Sequence, residues 1–315
     1  MKLPILLAAA RGDNVIQLTG RRGRAMRLAA AAFLAGSLHA QLTGVIDIHA
    51  HADPDSAPRS IDAIDLARLA KDRGMRGIVL KSHYEPTASL AYVVSKVVPG
   101  IAVFGGIDLN RSVGGVNPAA IERMVLIKGG LGRVVWLPTA DAENQVRFSK
   151  QDRPFVSVSK NGALLPEVKE VIALAAKHGL MLETGHSSAA ECLTIVREAR
   201  RAGVRNVVVT HAMIAPVHMT VAQMREAAAM GAWLEFVYHA LIGPNKEFEF
   251  ADYAKAIRAV GVEHCILSSD LGQAGNPLHP DGLVAFFAGL KAAGLQAAEI
   301  DRMSKTNPAK ALGLN

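Results

Sequence analysis

Aromatic side chains make up only 5% of this 315-residue chain, so its core is built from aliphatic residues and alanine, which suits helices packed closely on a sheet. It has two cysteines, Cys192 and Cys265, far apart and each within an apolar or helical stretch. That spacing excludes a thiolate metal site and favours two buried free thiols over a disulfide. No apolar run reaches the ~18 residues that a membrane span requires. Charge of one sign is scarce over most of the length. Of the net +7, five charges come from the first 40 residues, where Lys2, Arg11, Arg21, Arg22, Arg24 and Arg27 face one acid, Asp13. No basic helix with interleaved aromatics follows, so the charge is not a nucleic-acid footprint and no nucleic-acid or membrane partner is expected. With half of its residues apolar and a fifth charged, the chain can bury a large core.

Hydrophobic periodicity alternates regularly along the chain. Apolar runs at 45–49, 77–81, 101–109, 134–137, 180–184, 207–210, 232–237 and 265–269 predict strands. Helical patterns lie between them, such as "SIDAIDLARLAKDRG", "LPEVKEVIALAAKHG" and "AAECLTIVREARRAG", several ending at Gly74, Gly179, Gly203 or Gly231. Each strand-to-strand step leaves room for a crossover helix, so the strands are parallel and buried on both faces. Eight such units predict an α/β chain folded as a closed (β/α)8 TIM barrel over 44–315. An open doubly wound sheet would call for a Gly-x-Gly-x-x-Gly turn after the first strand, and "HAHADPDSAPRS" has none. Residues 1–43 form an extension in which "MRLAAAAFLAGSLHA" reads as a packing helix. The alternative is a secretory signal ending near Ala40, with the large Leu38 at its −3 position. The first reading goes with a cytoplasmic protein, the second with a periplasmic one. One long connection, 139–162, has the length of a lid or binding loop.

In such a barrel, chemistry gathers where the strands end. The first strand ends in "HAH", and residues i and i+2 of a strand share a face, so His49 and His51 project together. Two imidazole nitrogens aimed at one point are half of a divalent-metal site. His186 follows the fifth strand, His211 the sixth and Asp270 the eighth. Each has a plainer reading: His186 as the start of a helix capped by Ser187, His211 as a strand-end histidine, Asp270 as a helix cap. Glu183 is the alternative to His186. Lys81 ends a buried strand in "GIVLK", and a lysine there needs a partner, either a substrate carboxylate or Glu183. Arg111 in "NRSVGGVNP" precedes a helix N-terminus and suits an anionic group. His83 and Asp108 are polar residues at the ends of strands two and three, and Tyr84, Asn110, Tyr238 and His239 are further rim candidates, whereas His178, His218, His264 and His279 read as surface or loop residues.

Taken in order, His-x-His after strand one, His after strands five and six, Asp after strand eight and the closing "NPAKALGL" make the chain resemble the metal-dependent hydrolases of the amidohydrolase superfamily. The resemblance implies one catalytic divalent ion, zinc in the first place, held by His49, His51, His186 and Asp270. It implies that Asp270 acts as the base on an attacking water and that His211 stabilises the oxyanion. The substrate would be a small, anionic molecule with an amide, lactam or ester bond, contacted by Lys81, Arg111, Glu183, Tyr84 and Tyr238. Many binuclear members carry a bridging Lys or Glu after strand three or four, and "VVWLPTAD" offers neither, so a second metal is not expected. A decarboxylase or lyase on the same barrel, or a metal-binding barrel without turnover, are the alternatives; a homo-oligomer is compatible with either.

Overall fold

The computed structural model describes residues 42–314. The expected packing helix ahead of the first strand falls within residues 1–41, outside the described residues. Eight parallel strands follow: β1 (Ile46–His51), β2 (Gly77–Lys81), β3 (Ala102–Asp108), β4 (Gly132–Trp136), β5 (Met181–Glu183), β6 (Val207–Val209), β7 (Trp233–Val237) and β8 (Cys265–Ser268). They are hydrogen-bonded to one another in chain order. The last strand returns to the first through a parallel Ala50–Leu271 bridge, with His51 N donating to Leu271 O and Asp270 N to His49 O, both at 2.9 Å. The predicted barrel is therefore present, with every strand within two residues of its expected bounds.

Its crossovers include α1 (Ala63–Asp72), α2 (Ala88–Val97), α3 (Pro118–Val125), α4 (Glu143–Phe148), α5 (Pro166–His178), α6 (Ala189–Arg201), α7 (Val221–Ala229), α8 (Phe250–Val260) and α9 (His279–Ala292). In α1, apolar residues at helical spacing (Ala63, Leu66, Ala67, Ala70) turn inward, and the Asp62 side chain caps the start by accepting from Ile64 N and Asp65 N. These faces pack on the outward strand residues Ile78, Leu80, Val103, Val135, Leu182 and Leu267. The inward residues Ile46, Ile48, Val79, Phe104, Val134, Trp136, Met181, Val208 and Ile266 form a separate inner core. Ala309, Ala311 and Leu312, from the final helix α11 (Asn307–Ala311, after α10, Ala297–Asp301), join that core and plug the barrel at the end where the strands begin. Asn307 fixes the plug by donating to Val262 O and Cys265 O at 2.8 and 2.7 Å. Cys192 and Cys265 are buried free thiols. Among the described residues no helix is long and apolar enough to cross a membrane.

Two local features prepare the mouth. The register of β1 against β2 slips between Asp47 and Ala50, so that three steps on one strand match two on the other. This bulge lets Ile46 and Ile48 face the inner core while His49 and His51 also turn into the barrel. The 139–162 connection, expected as a loop, carries α4 and a two-stranded hairpin (Ser159–Lys160 with Ala163–Leu164). Asn144 at the start of α4 donates to His186 O and Pro216 O, tying this segment across the loops that follow β5 and β6.

Candidate active site

On the side of the mouth formed by β7, β8 and β1, four buried ionisable groups converge. His49 Nε2 and His51 Nε2 lie 3.1 and 3.4 Å from the same oxygen, Asp270 Oδ1. The three ligand atoms sit within 4.8 Å of one another. Behind them, Glu235 in β7 accepts from Ser268 Oγ at 2.6 Å and from His211 N at 2.8 Å, and meets His49 Nδ1 at 3.1 Å. A carboxylate with these donors keeps the proton of His49 on Nδ1 and leaves Nε2 to face Asp270. Two lone pairs 3.1 Å apart repel unless a positive charge lies between them. Burial pushes His49 down, yet Asp270 and Glu235 outweigh it and raise it to about 10 from the ordinary 6.5, so a proton fills the gap when nothing else does. Burial also opposes the charge on Asp270, but His49 and His51 hold its carboxyl well below the usual range. Asp270 and His211 both adopt left-handed backbone (φ 50° and 28°), which costs a non-glycine residue of order 1–3 kcal/mol and is commonest at functional sites. Gly272 lets the chain leave this site, since a Cβ there would collide with the backbone carbonyl of His51.

The side formed by β2, β3 and β4 contains its own cation. Lys81 Nζ lies 2.9 Å from Asp108 Oδ2 and 5.4 Å above the Trp136 ring. Thr139 Oγ1 donates to the same Asp108 oxygen at 2.8 Å, and His83 Nδ1 lies 2.9 Å from Thr139 Oγ1. Burial raises Asp108, but Lys81 and His83 together outweigh it and hold the carboxyl below its ordinary value. Between the two sides, Glu183 in β5 accepts from Thr210 Oγ1 at 2.9 Å; burial, reinforced by the charge of Glu235, raises it well above the carboxylate range, so it carries a proton. His186 donates from Nδ1 to Gln145 Oε1 at 2.8 Å, and its ring is 4.8 Å from that of His211. Gly185 permits the turn that delivers His186, because a Cβ there would meet the Leu137 and Pro138 carbonyl oxygens. Burial lowers both histidines, His211 to about 4.

A cavity of about 520 Å³ opens over these groups. His49, His51, His83, His186, His211 and Asp270 face it, and Phe148, Ile214, Ala215 and Pro244 form an apolar wall. His186 reaches the cavity but does not belong to the trio of His49, His51 and Asp270. The expected substrate-contacting residues lie elsewhere. Lys81 and Glu183 are buried beneath the floor, and Lys81 pairs with Asp108 on the adjacent strand, not with Glu183 three strands away. Arg111 is exposed on the turn after β3, where its N–H donates to Asp141. Tyr84 is exposed beside His83, and Tyr238 is buried against Phe286. None of the five lines the cavity. Its one lysine, Lys246, is paired with Glu249 at 2.6 Å, so the expected anionic substrate finds no free cationic side chain in the lining. His218 is an exposed loop residue at the cavity rim, in line with its surface reading, whereas His279 is buried with its ring 2.9 Å from Leu271 O, contrary to that reading. Glu235, Gln145 and Phe148 were not among the expected site residues, and His83 and Asp108 were expected only as polar strand ends without a role. Glu235 had a usable signal, a carboxylate inside the apolar run "AWLEFV" of a strand buried on both faces.

Comparison with known proteins bears on the fold. No curated protein sequence matches the chain. Among solved structures it is similar to an amidohydrolase from Pseudomonas aeruginosa (13% identity, 88% of this chain and 97% of that one, TM-score 0.60). It is likewise similar to an organophosphorus hydrolase from Deinococcus radiodurans (16%, 87% and 94%, 0.58). A third is a putative 2-pyrone-4,6-dicarboxylic acid hydrolase from Pseudomonas putida (19%, 86% and 98%, 0.55). At these identities the likeness is one of fold, a closed barrel of eight parallel strands with surrounding helices. The model of a family of unknown function, DUF6282, matches residues 44–235, more than half of the chain, and the chain belongs to that family.

Proposed function

We propose that this chain is a hydrolase that holds one divalent ion, zinc in the first place, between His49, His51 and Asp270, and cleaves an amide, lactam or ester bond of a small molecule. The observation that carries the reading is the convergence of two imidazole Nε2 atoms on one carboxylate oxygen, with a buried glutamate behind one of them. Two histidines and a carboxylate are a donor set suited to catalytic zinc, and the glutamate orients its histidine as partners of metal-bound imidazoles do. Bound there, the ion would lower the pKa of a water and polarise a carbonyl. Asp270 Oδ2, which makes no hydrogen bond among the described residues, is placed to take a proton from the attacking water and pass it to the leaving group. His211 and His186, neutral and facing the same cavity, orient the carbonyl. Phe148, Ile214 and Pro244 receive an apolar part of the substrate and exclude water from it.

A decarboxylase on this barrel would need a cation to grip the substrate carboxylate, and Lys81 and Arg111, the candidates for that role, do not line the cavity. With residues 26–40 read as a packing helix, the enzyme is cytoplasmic; that segment lies outside the described residues. The test is turnover of a panel of lactones, lactams, aryl esters and amides by the zinc-loaded chain in ¹⁸O-labelled water. One labelled oxygen in the acid product is expected. A fully zinc-loaded chain that turns over none of them would instead be a binding barrel, and release of carbon dioxide would mark a decarboxylase.

A further inference from the structure

The donors and acceptors around His83, at the end of β2, can be assigned one by one. Asn110 Oδ1 accepts from the backbone N–H groups of Thr139 and Asp141 at 2.9 and 3.0 Å, which fixes the amide. Its Nδ2 therefore donates to Thr139 Oγ1 at 2.7 Å and to His83 O at 2.8 Å. Asp108, ionised beside Lys81, can only accept, so the single hydroxyl proton of Thr139 goes to Asp108 Oδ2 at 2.8 Å. Thr139 Oγ1 is left with a lone pair for His83 Nδ1 at 2.9 Å, and Nδ1 must supply the proton. Lys81 Nζ, a positive charge 3.4 Å from the same nitrogen, disfavours a second proton on the ring. Nε2 is thus unprotonated. It makes no hydrogen bond among the described residues, and the side chain, 21% exposed, faces the cavity between the rings of His51 (4.9 Å) and His186 (6.0 Å).

From this network we infer that His83 is a specificity-determining residue: its Nε2 accepts a hydrogen bond from an N–H or O–H of the bound molecule and so favours amides and lactams over esters. An ester oxygen presented to the same lone pair would be repelled, whereas an amide N–H satisfies it. The inference rests on the reading of this cavity as the substrate site, and it adds the class of bond. His83 acts by orientation and transfers no proton.

The test uses the full chain with zinc added and ¹⁵N-labelled histidine, the His83 signals being identified by their loss in His83→Gln. Long-range ¹H–¹⁵N correlations should show His83 protonated on Nδ1. Thr139→Ser should keep that form, and so should Thr139→Val, because Asp108 Oδ2, 3.3 Å from Nδ1, is a second acceptor for the same proton. Benzamide should move the His83 Nε2 resonance upfield, and N,N-dimethylbenzamide, which has no N–H, should not. His83→Phe should weaken benzamide binding by about 3- to 10-fold, to the level of the dimethyl compound. His83→Gln, whose Oε1 reaches the place of Nε2, should keep the preference. A wild-type His83 protonated on Nε2, or equal or absent responses to the two amides, would overturn the inference. A chain that shows the tautomer and the preference yet hydrolyses nothing would overturn the proposed function alone.

Discussion

The two sides of the barrel mouth solve one electrostatic problem in opposite ways. Around β2–β4, the buried carboxylate Asp108 meets a resident cation, Lys81, at 2.9 Å, and Thr139 and Asn110 complete the network. Around β7–β8–β1, two buried carboxylates, Asp270 and Glu235, pair with no lysine or arginine among the described residues; His49 stands between them, with a proton only for want of another cation. On the first side the compensating charge is fixed within the chain, and on the second it is open to exchange. Burial of charge is costly in both, and what differs is whether the chain itself supplies the compensating charge.

The comparison breaks first at the histidines. His49→Asn with His51→Asn should reduce zinc content, read by mass spectrometry, to near zero and turnover to background, while the circular dichroism spectrum of the barrel is retained. Zinc content at the wild-type level in that variant would mean that the cation binds elsewhere. On the first side the effect should fall on stability instead. Lys81→Met leaves Asp108 buried and unpaired and should cost about 3–5 kcal/mol in chemical denaturation, with one zinc still bound by the folded fraction. Loss of zinc with unchanged stability would show that the two sides are not separate.

How much of this could be read beforehand follows from what a linear pattern contains. The eight strands stand out as apolar runs, and the rule that strand ends carry chemistry picks out His49, His51, His186, His211 and Asp270. The inward turn of both β1 histidines beneath an inner core of Ile46 and Ile48 depends on a bulge that no pattern displays. Lys81 pairs with neither of its expected partners, a substrate carboxylate or Glu183: neighbouring strands lie only ~4.8 Å apart, and β3, which ends in Asp108, is the neighbour of β2. Arg111, Tyr84 and Tyr238 lie near strand ends in sequence, but their side chains point to solvent or into the helix layer. Glu235 went unnoticed because it sits one turn of the pleat below the mouth, inside a strand rather than at its end.

Subtler substitutions sharpen the contrast between the two glutamates of the floor. Glu235→Gln should weaken zinc binding about 10- to 100-fold, because a neutral amide no longer favours the proton on His49 Nδ1; a competition titration against a chelator reads this directly. Glu183→Gln replaces an already protonated acid by a neutral isostere and should change stability by less than about 1 kcal/mol, leaving zinc affinity alone. A large loss in thermal denaturation would mean that Glu183 is ionised in the native barrel.

The central claim is that one cation exchanges for the proton of His49. In the metal-free chain that proton stabilises the fold fully below pH 6.5, and the stabilisation is lost as pH rises through about 10. The direct measurement is calorimetric titration of the metal-free chain with zinc at pH 7, repeated in buffers of different ionisation enthalpy. One zinc per chain should bind with release of about one proton from His49, and the release should vanish above about pH 10. Absence of binding, or one zinc bound with no proton released at pH 7, would contradict the account.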